Sequence, residues 1–536
     1  MNLFQAIFER DSRTSPAIIF EQRQIGYDEL REQTLTVAKT LAALNVAKTE
    51  RVAILLHDSP EFIEAFIAIC SMGAIAVPIN MALRLEEQRT ILNDCGASLA
   101  IIESDLCNRL LTGAPEKLHH LKTIVVVARE ITREKGEEST DTQSAQHWST
   151  EGPAVHELQV LMEEAASTRS PQFPSPSQDD PAFILYTSGS TGDPKGAIHR
   201  QADIFYTNET FCHEVLHLSF NDRLFSSSRL PFAYGLGNSF SFPLLNGATT
   251  ILCREKPTAE VISRIFRDSK PTIFFGVPVI FNLLLELHRR DHSLDCSSLR
   301  LCLSAGEALP AHLGEECEKT FGVEILDGIG STEMLHMFMS NHENDVRYGS
   351  SGKVLDGYEA RLLDEHDQPT PTHVEGNLWV RGGSAALEYW QRPTETARTF
   401  VGGWVRTGDL YRRDAEGYWF HMGRSDDCFK SSGQWVSPVE VEGVLLRHEL
   451  AARAAVVEDL DDARLPCPCA FVVSQDVESD LIQLEKELRD LAAGALPRFK
   501  QPRKYVFVSE LPYTATGKIQ RFRLRQELRK RAAVEG

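Results

Sequence analysis

Cysteines spaced as metal ligands are missing from this chain of 536 residues. Its 11 cysteines are scattered from Cys70 to Cys469 without a CxxC pair, and Cys467 and Cys469 flank a single proline, the wrong spacing for zinc. That argues against a zinc or disulfide framework and points to buried, reduced thiols of a cytosolic protein. A surplus of positive charge is missing too. Lys and Arg number 56 against 76 Asp and Glu, for a net charge of −20. A general nucleic-acid binder needs the opposite balance, although a nucleotide pocket needs only a few local cations. No apolar run is long enough to cross a bilayer. The longest uncharged apolar stretch, Ala65–Ile79, falls short of the ~20 residues required and contains Pro78. The start, MNLFQAIFERDSRT, lacks a basic segment followed by an apolar run and a small-residue cleavage site. No repeat with a period of roughly 20–50 residues is visible. A cytoplasmic protein with neither a nucleic-acid nor a membrane partner is expected.

Hydrophobic residues make up 42% and charged residues 25%, which is ordinary for a globular chain and rules out disorder throughout. At roughly 100–200 residues per domain, about three to five structural units are expected. Near-continuous apolar strands (RVAILL, SLAIIES, TIVVVAR, AFILYTSG, TTILC, TIFFGVP, LRLCLSAGE, VEILDGIGSTE) alternate with helical patterns, which predicts layered α/β architecture. Residues 130–180 are polar and Ser/Thr/Gln/Pro-rich, with one amphipathic helix expected around His156–Ala166. From about Gly352 the strands shorten and turns come every ~8–12 residues, predicting a β-rich subdomain to about Ser425. The remainder alternates strand and helix again. The predicted fold is therefore a large N-terminal domain, 1–425, of layered α/β subdomains with a β-rich subdomain at about 352–425. A small mobile C-terminal α/β domain, 426–536, follows.

In open α/β sheets ligands bind beyond the C-terminal strand ends. The strongest signal there is YTSGSTGDPKG, Tyr186–Gly196, directly after an apolar strand. Glycines let backbone approach phosphate oxygens, hydroxyls and N–H groups donate to them, and Lys195 adds a charge. The loop is neither GxxxxGK[ST] nor GxGxxG. Gly235–Phe240 and Gly328–Glu333 each imitate half a dinucleotide fingerprint but lack the third glycine.

YTSGSTGDPKG resembles the signature of the adenylate-forming superfamily of acyl- and aryl-CoA synthetases, adenylation domains and insect luciferases. Five further stretches follow in the order of that superfamily: SAGEALP (Ser304–Pro310), DGIGSTE (Asp327–Glu333), WVRTGDL (Trp404–Leu410), GRSDDCFKSSGQWVSPVEVE (Gly423–Glu442) and LPYTATGKIQR (Leu511–Arg521). The resemblance covers essentially the whole chain. Pro231–Leu252 and Gly328–Phe338 are more particular and resemble the benzoate–CoA ligase branch.

The resemblance implies an AMP-forming acid–thiol ligase using ATP, Mg²⁺ and coenzyme A. It would turn a small aryl carboxylic acid, benzoate or an amino- or hydroxybenzoate such as anthranilate, into an aryl-adenylate and pass the acyl group to CoA. A stand-alone adenylation enzyme loading a separate carrier protein is the alternative, and a monomer or homodimer is expected. Thr187, Ser188, Gly189, Ser190, Thr191, Gly192 and Lys195 would hold phosphates. Ser304, Ala305, Gly306, Asp327 and Gly328 would form the adenine shelf, with Ile329 where the family usually has an aromatic residue. Asp409 would accept the ribose diol beside Arg424. Thr332 would contact the α-phosphate, Glu333 would bind the metal, and Lys518 would bridge carboxylate and α-phosphate. Ala233, Tyr234, Gly330, His336 and Met337 would line the aryl slot: Gly330 and Ala233 giving room, Tyr234 a face, and Met337 an adaptable floor. Asp426 would be the hinge, and Gly433 would admit the thiol arm. With 11 Lys/Arg against three Glu, the tail from Arg498 could also meet CoA phosphates. In their ordinary structural reading, Glu333 sits in the first turn of a helix and His336 and Met337 are helix-packing residues.

Overall fold

The computed structural model describes residues 2–9, 15–111, 118–128, 153–169, 171–175, 177, 179–188, 194–292, 294–461, 464–475, 480–513 and 519–535. Of the expected site residues, Gly189, Ser190, Thr191, Gly192 and Lys518 lie outside the described residues. So does the side chain of Ser188.

Two large sheets carry the N-terminal part. One has seven strands in the order 154–157, 123–127, 99–103, 51–55, 75–78, 181–188 and 194–200. All of its pairs are parallel except the last, which is a hairpin. The other has nine strands in the order 353–354, 337–340, 325–330, 301–304, 273–276, 223–226, 249–252, 18–20 and 23–25. Its centre is parallel and its outer pairs are antiparallel. The central strands are buried along their length, such as Val52–Leu55, Leu99–Glu103 and Leu301–Ser304. This is the reason they read as unbroken apolar runs: parallel strands are covered on both faces. The helix Pro60–Ser71 starts on a proline at its first turn and ends before Gly73, whose φ of +79° turns the chain into the strand Ile75–Pro78.

A five-stranded antiparallel sheet follows, built from Glu359–Leu363, Gly376–Arg381, Phe400–Val401, Trp404–Arg413 and Trp419–Arg424. Beyond it come a short hairpin, Phe429–Ser431 with Gln434–Val436, and a three-stranded sheet of Ala451–Leu460, Pro466–Ser474 and Lys504–Phe507. The α/β layers, the β-rich insertion and the smaller α/β end match the predicted fold class. One element differs. The segment expected as one helix from His156 is divided: Ala154–Glu157 is an edge strand, and the helix is Leu158–Ala165. The open sheet edge supplies backbone partners, Ala154 N donating to Lys122 O at 2.8 Å, that local periodicity cannot reveal.

All 11 cysteines are free, and only Cys253 and Cys296 are partly exposed. Burial pushes Cys95 and Cys107 up to about 12, so these thiols are inert packing groups. Among the described residues, no helix is long and apolar enough to cross a membrane.

Candidate active site

The strands on either side of the glycine- and hydroxyl-rich segment pair with each other antiparallel. The register sets Thr187 opposite Lys195 and Ser188 opposite Pro194. Gly196 is required in this pairing, because a Cβ there would stand 2.6 Å from Ile184 Cγ2 and 3.0 Å from the Tyr186 ring. Tyr186 anchors the outer face: its hydroxyl donates to Asp94 Oδ2 at 2.6 Å, while Arg392 holds Asp94 Oδ1 at 2.6 Å.

The second component leaves the strand Ile325–Gly330. Residues Thr332–Met334 form a single 3₁₀ turn rather than the start of a longer helix. Leu335, at φ +64°, reverses the chain, and Met337–Ser340 returns as an antiparallel strand. His336 and Met337 are therefore not helix-packing residues. Glu333 is half-buried, and its Oε1 accepts the Tyr389 hydroxyl at 2.6 Å. Lys195 Nζ lies 5.8 Å from the centroid of the same Tyr389 ring. One tyrosine thus links Lys195 to the acidic turn.

The third component is a cross-strand pair. Asp409 and Arg424 face each other on the strands Trp404–Arg413 and Trp419–Arg424, with Arg424 Nη1 3.3 Å from Asp409 Oδ1. His421 Nε2 approaches the same oxygen at 3.5 Å. Burial pushes the Asp409 carboxyl up, but Arg424 and His421 outweigh it and hold the group at about 2. Gly408, at φ +75°, makes room for Arg424: a Cβ would sit 2.6 Å from Nη2. Glu333 adds to the field that keeps Arg424 charged, which puts the turn and the pair at one edge. Asp426 lies just beyond, with Arg424 Nε at 3.7 Å.

The floor is different in character. Ser304, Ala305, Asp327 and Gly328 are buried, Ile329 is half-buried and Gly306 is exposed at φ +91°. Asp327 Oδ2 accepts Leu309 N at a long 3.4 Å, and neither Asp327 Oδ1 nor Ser304 Oγ has a partner in hydrogen-bond geometry. Burial drives the Asp327 carboxyl well above its ordinary range. Next to it, the His336 ring packs with centroids 4.7 Å from Phe211, 4.7 Å from Phe242 and 5.6 Å from Tyr234. Burial drives this imidazole down to about 3. Its Nε2 faces Asn238 Oδ1 at 3.1 Å and so carries the hydrogen, which leaves Nδ1 an unpartnered acceptor. Tyr234 and Ala233 stand half-exposed on the helix Ala233–Leu236.

Gly330 does not give room in the way the sequence suggests. A Cβ there would point into the returning strand, 2.5 Å from His336 O and 2.8 Å from Met337 N. The glycine permits the close backbone approach of the Ile325–Gly330 and Met337–Ser340 strands at their register shift. Met337 Cε in turn occupies the space a Cβ on Gly328 would need, at 2.3 Å.

Gly433, with Ser432, makes the two-residue turn of the hairpin Phe429–Val436, both at positive φ. The turn is exposed and its Cβ position is open, so turn geometry by itself accounts for the glycine. Around Lys518, the base of the loop is described: Tyr513 bridges Ile519, and Gln520 N donates to Pro512 O at 2.8 Å. Arg521 forms a bidentate pair with Glu442, both bonds through Nη2 at 2.8 Å.

Sequence reading missed Tyr389, His199, Asp203, Asn238 and Arg521. Arg521 alone carried a signal, as the last residue of LPYTATGKIQR.

Comparison with known proteins agrees with this geometry. A family described as AMP-binding enzyme matches residues 5–390, and the AMP-binding enzyme C-terminal domain matches residues 440–518. A benzoate–CoA ligase of Thauera aromatica is 39% identical over 508 residues, 93% of this chain and 90% of that protein. A solved anthranilate–CoA ligase in complex with anthranoyl-AMP superposes with a TM-score of 0.89 at 34% identity, covering 99% of this chain and 98% of that one. A benzoate–CoA ligase structure from Burkholderia xenovorans LB400 superposes at 0.85 with 35% identity, covering 98% and 100%.

Proposed function

The chain belongs to the AMP-binding enzyme family, in its benzoate–CoA ligase-like branch, and from that premise we propose how its residues divide the work. It is an AMP-forming aryl-CoA ligase: ATP activates an aryl carboxylic acid as the adenylate, and coenzyme A takes the acyl group. The carrier-protein alternative is not favoured by these relatives. The observation that carries the assignment of roles is the line Lys195–Tyr389–Glu333, with the Asp409–Arg424 pair in its field.

In the first step a carboxylate oxygen attacks the α-phosphorus of ATP and pyrophosphate leaves. No base is needed, because a carboxylic acid with a pKa of about 4 is already ionised. The protein's task is to bring anions together with donors fixed in advance. Thr187, Ser188, Gly189, Ser190, Thr191, Gly192 and Lys195 cradle phosphates. Thr332 meets the α-phosphate, and Lys518 bridges it to the acid. Asp409, ionised and buried, accepts the ribose hydroxyls beside Arg424. Adenine lies on Ser304, Ala305, Gly306, Asp327, Gly328 and Ile329. Ala233, Tyr234, His336 and Met337 bound the ring slot, with the backbone of Gly330.

Among the described residues no three His, Cys, Asp or Glu side chains cluster to hold a metal by themselves. Glu333 offers one carboxylate, with one oxygen already accepting Tyr389. That donor set suits Mg²⁺, which keeps water and phosphate oxygens and takes only one or two carboxylates. Glu333 would hold it, and when bound it neutralises phosphate charge.

In the second step the CoA thiol attacks the acyl carbon and AMP leaves. We divide the chain into 1–425 and 426–536, with the smaller part turning at Asp426 to exchange Lys518 for the Gly433 hairpin. The separate sheets beyond Phe429 support that division. The test is CoA-dependent AMP release across benzoate, 2-aminobenzoate, the three hydroxybenzoates, cinnamate, hexanoate and palmitate. Turnover confined to small aryl acids is expected. Preference for hexanoate or palmitate would discard the aryl slot, and adenylate formation without CoA turnover would revive the carrier protein.

A further inference from the structure

His199 lies four residues after Lys195 on the strand that leaves the phosphate loop, so the two side chains share one face of that strand. It is fully buried, and its ring stacks on Phe183 with centroids 5.3 Å apart and planes 18° apart. Nδ1 is 2.9 Å from Asp203 Oδ2, and Asp203 is also fully buried. Nε2 is 2.8 Å from the carbonyl oxygen of Thr332, 133 residues away in the chain.

Both partners are acceptors. The Thr332 carbonyl has no hydrogen to give. Asp203 already accepts Arg200 N at 3.0 Å and Arg200 Nε at 2.8 Å, as an ionised carboxylate does. The two contacts of His199 are satisfied together only when both ring nitrogens carry hydrogen.

The Thr332 contact is one of three. Consecutive carbonyls of the 3₁₀ turn are each held from outside it: Thr332 O by His199, Glu333 O by Ala386 N at 2.8 Å, and Met334 O by Ser384 Oγ at 2.8 Å. Two of these clamps come from the segment around Tyr389, and the third comes from the phosphate-loop strand. His199 is thus the direct link between the strand carrying Lys195 and the turn carrying Thr332 and Glu333.

We propose that His199, oriented by Asp203, is a positioning residue for adenylation: as a double donor it locks the Thr332–Glu333 turn in register with the phosphate loop. The proposal rests on the adenylating reading given above. It places no group of His199 on substrate. Its effect passes through one backbone carbonyl, so the burden falls on phosphoryl geometry rather than on aryl binding. A displacement of about 1 Å in such a frame can cost about 100-fold.

The test compares wild type with His199→Phe, which keeps a ring against Phe183 and removes both N–H groups, and with His199→Gln, which returns one donor. Two half-reactions are measured: benzoate- or anthranilate-dependent ATP–pyrophosphate exchange, and thioester formation from supplied aryl-adenylate and CoA. His199→Phe should lower kcat for exchange by about 10–100-fold, with KM for the acid and the thioester half-reaction within about twofold. His199→Gln should recover part of kcat. Side-chain ¹⁵N spectra of deuterated wild-type protein should show N–H-type nitrogens at both positions of one imidazole, absent in His199→Phe. Exchange within twofold of wild type in His199→Phe overturns the proposal. So does an equal loss in both half-reactions, which marks general destabilisation, or no recovery in His199→Gln. If wild type itself gives no exchange with any aryl acid, the adenylating reading fails instead.

Discussion

Two buried aspartates stand at the two ends of the proposed nucleotide site, and burial treats them identically while their neighbours do not. Asp327, on the floor, is 2% exposed and Asp409, at the rim, is 8% exposed. Asp409 has Arg424 and His421 against it and stays ionised, at about 2. Asp327 has no cation among the causes of its shift, only hydrogen-bond donors such as Leu309 N at a long 3.4 Å, and burial pushes it well above the carboxylate range. His336 belongs with the floor, kept neutral by the rings around it. The rim, proposed to face ribose and phosphates, thus holds a carboxylate against a guanidinium, and the floor a carboxyl and an imidazole that burial disfavours in their charged forms. Partners, not depth, decide which kind of site a buried carboxylate makes.

The largest effect on this contrast comes from removing the cation proposed to complete the rim. Lys518→Ala should lower aryl-dependent pyrophosphate exchange by about 10²–10³-fold and leave thioester formation from supplied adenylate near wild type. Equal losses in both half-reactions would mean that one arrangement serves both steps.

Paired substitutions test the contrast directly. Asp409→Asn removes the carboxylate paired with Arg424 across the strands and should lower kcat/KM for ATP by about 30-fold or more. Asp327→Asn replaces a carboxyl that burial pushes upward by a neutral amide and should cost less than about threefold. Equal losses would show that both carboxylates act as charges.

The two aspartates also respond oppositely to pH. Asp409 and His336 are both depressed in the folded state. The Asp409 contribution to stability is complete above about 4 and lost as pH falls through about 2. The His336 contribution is complete above about 6.5 and lost as pH falls toward about 3. Asp327 is raised, so its contribution is full below about 4 and lost as pH rises. His336→Phe should therefore flatten the fall in stability between pH 6.5 and 4 by up to about 1.4 kcal/mol per pH unit, measured from urea midpoints. An unchanged slope would mean that the wild-type ring takes up a proton while folded.

The smallest effect concerns the hairpin beyond the hinge. Gly433→Asn tolerates positive φ and should keep thioester formation within about threefold, whereas Gly433→Trp should lower it selectively. Equal loss in both would trace the effect to turn strain rather than to a blocked channel.

Much of this was legible in the chain. YTSGSTGDPKG reads as a strand followed by a turn, and its described ends pair as antiparallel strands. The apolar runs became the buried strands they resembled. Long-range partners were not legible. Tyr389 meets Glu333 across 56 residues, and His336 meets Asn238 across 98. His199, inside an apolar strand, carries no local sign that both its nitrogens are engaged. Gly330 was misread because a sequence does not say which way an absent Cβ would point. The returning strand after His336 was not legible, because the reversal at Leu335 depends on a positive φ that leucine rarely adopts.

Arg521 has a kinetic consequence. Its fork on Glu442 and the Tyr513–Ile519 bridge pin both ends of the segment that carries Lys518. In the proposed reaction Lys518 would reach the phosphates together with the scaffold that these flanking contacts belong to, on the microsecond-to-millisecond scale of collective motion. Where that travel limits turnover, solvent viscosity would slow the enzyme and leave the chemistry untouched.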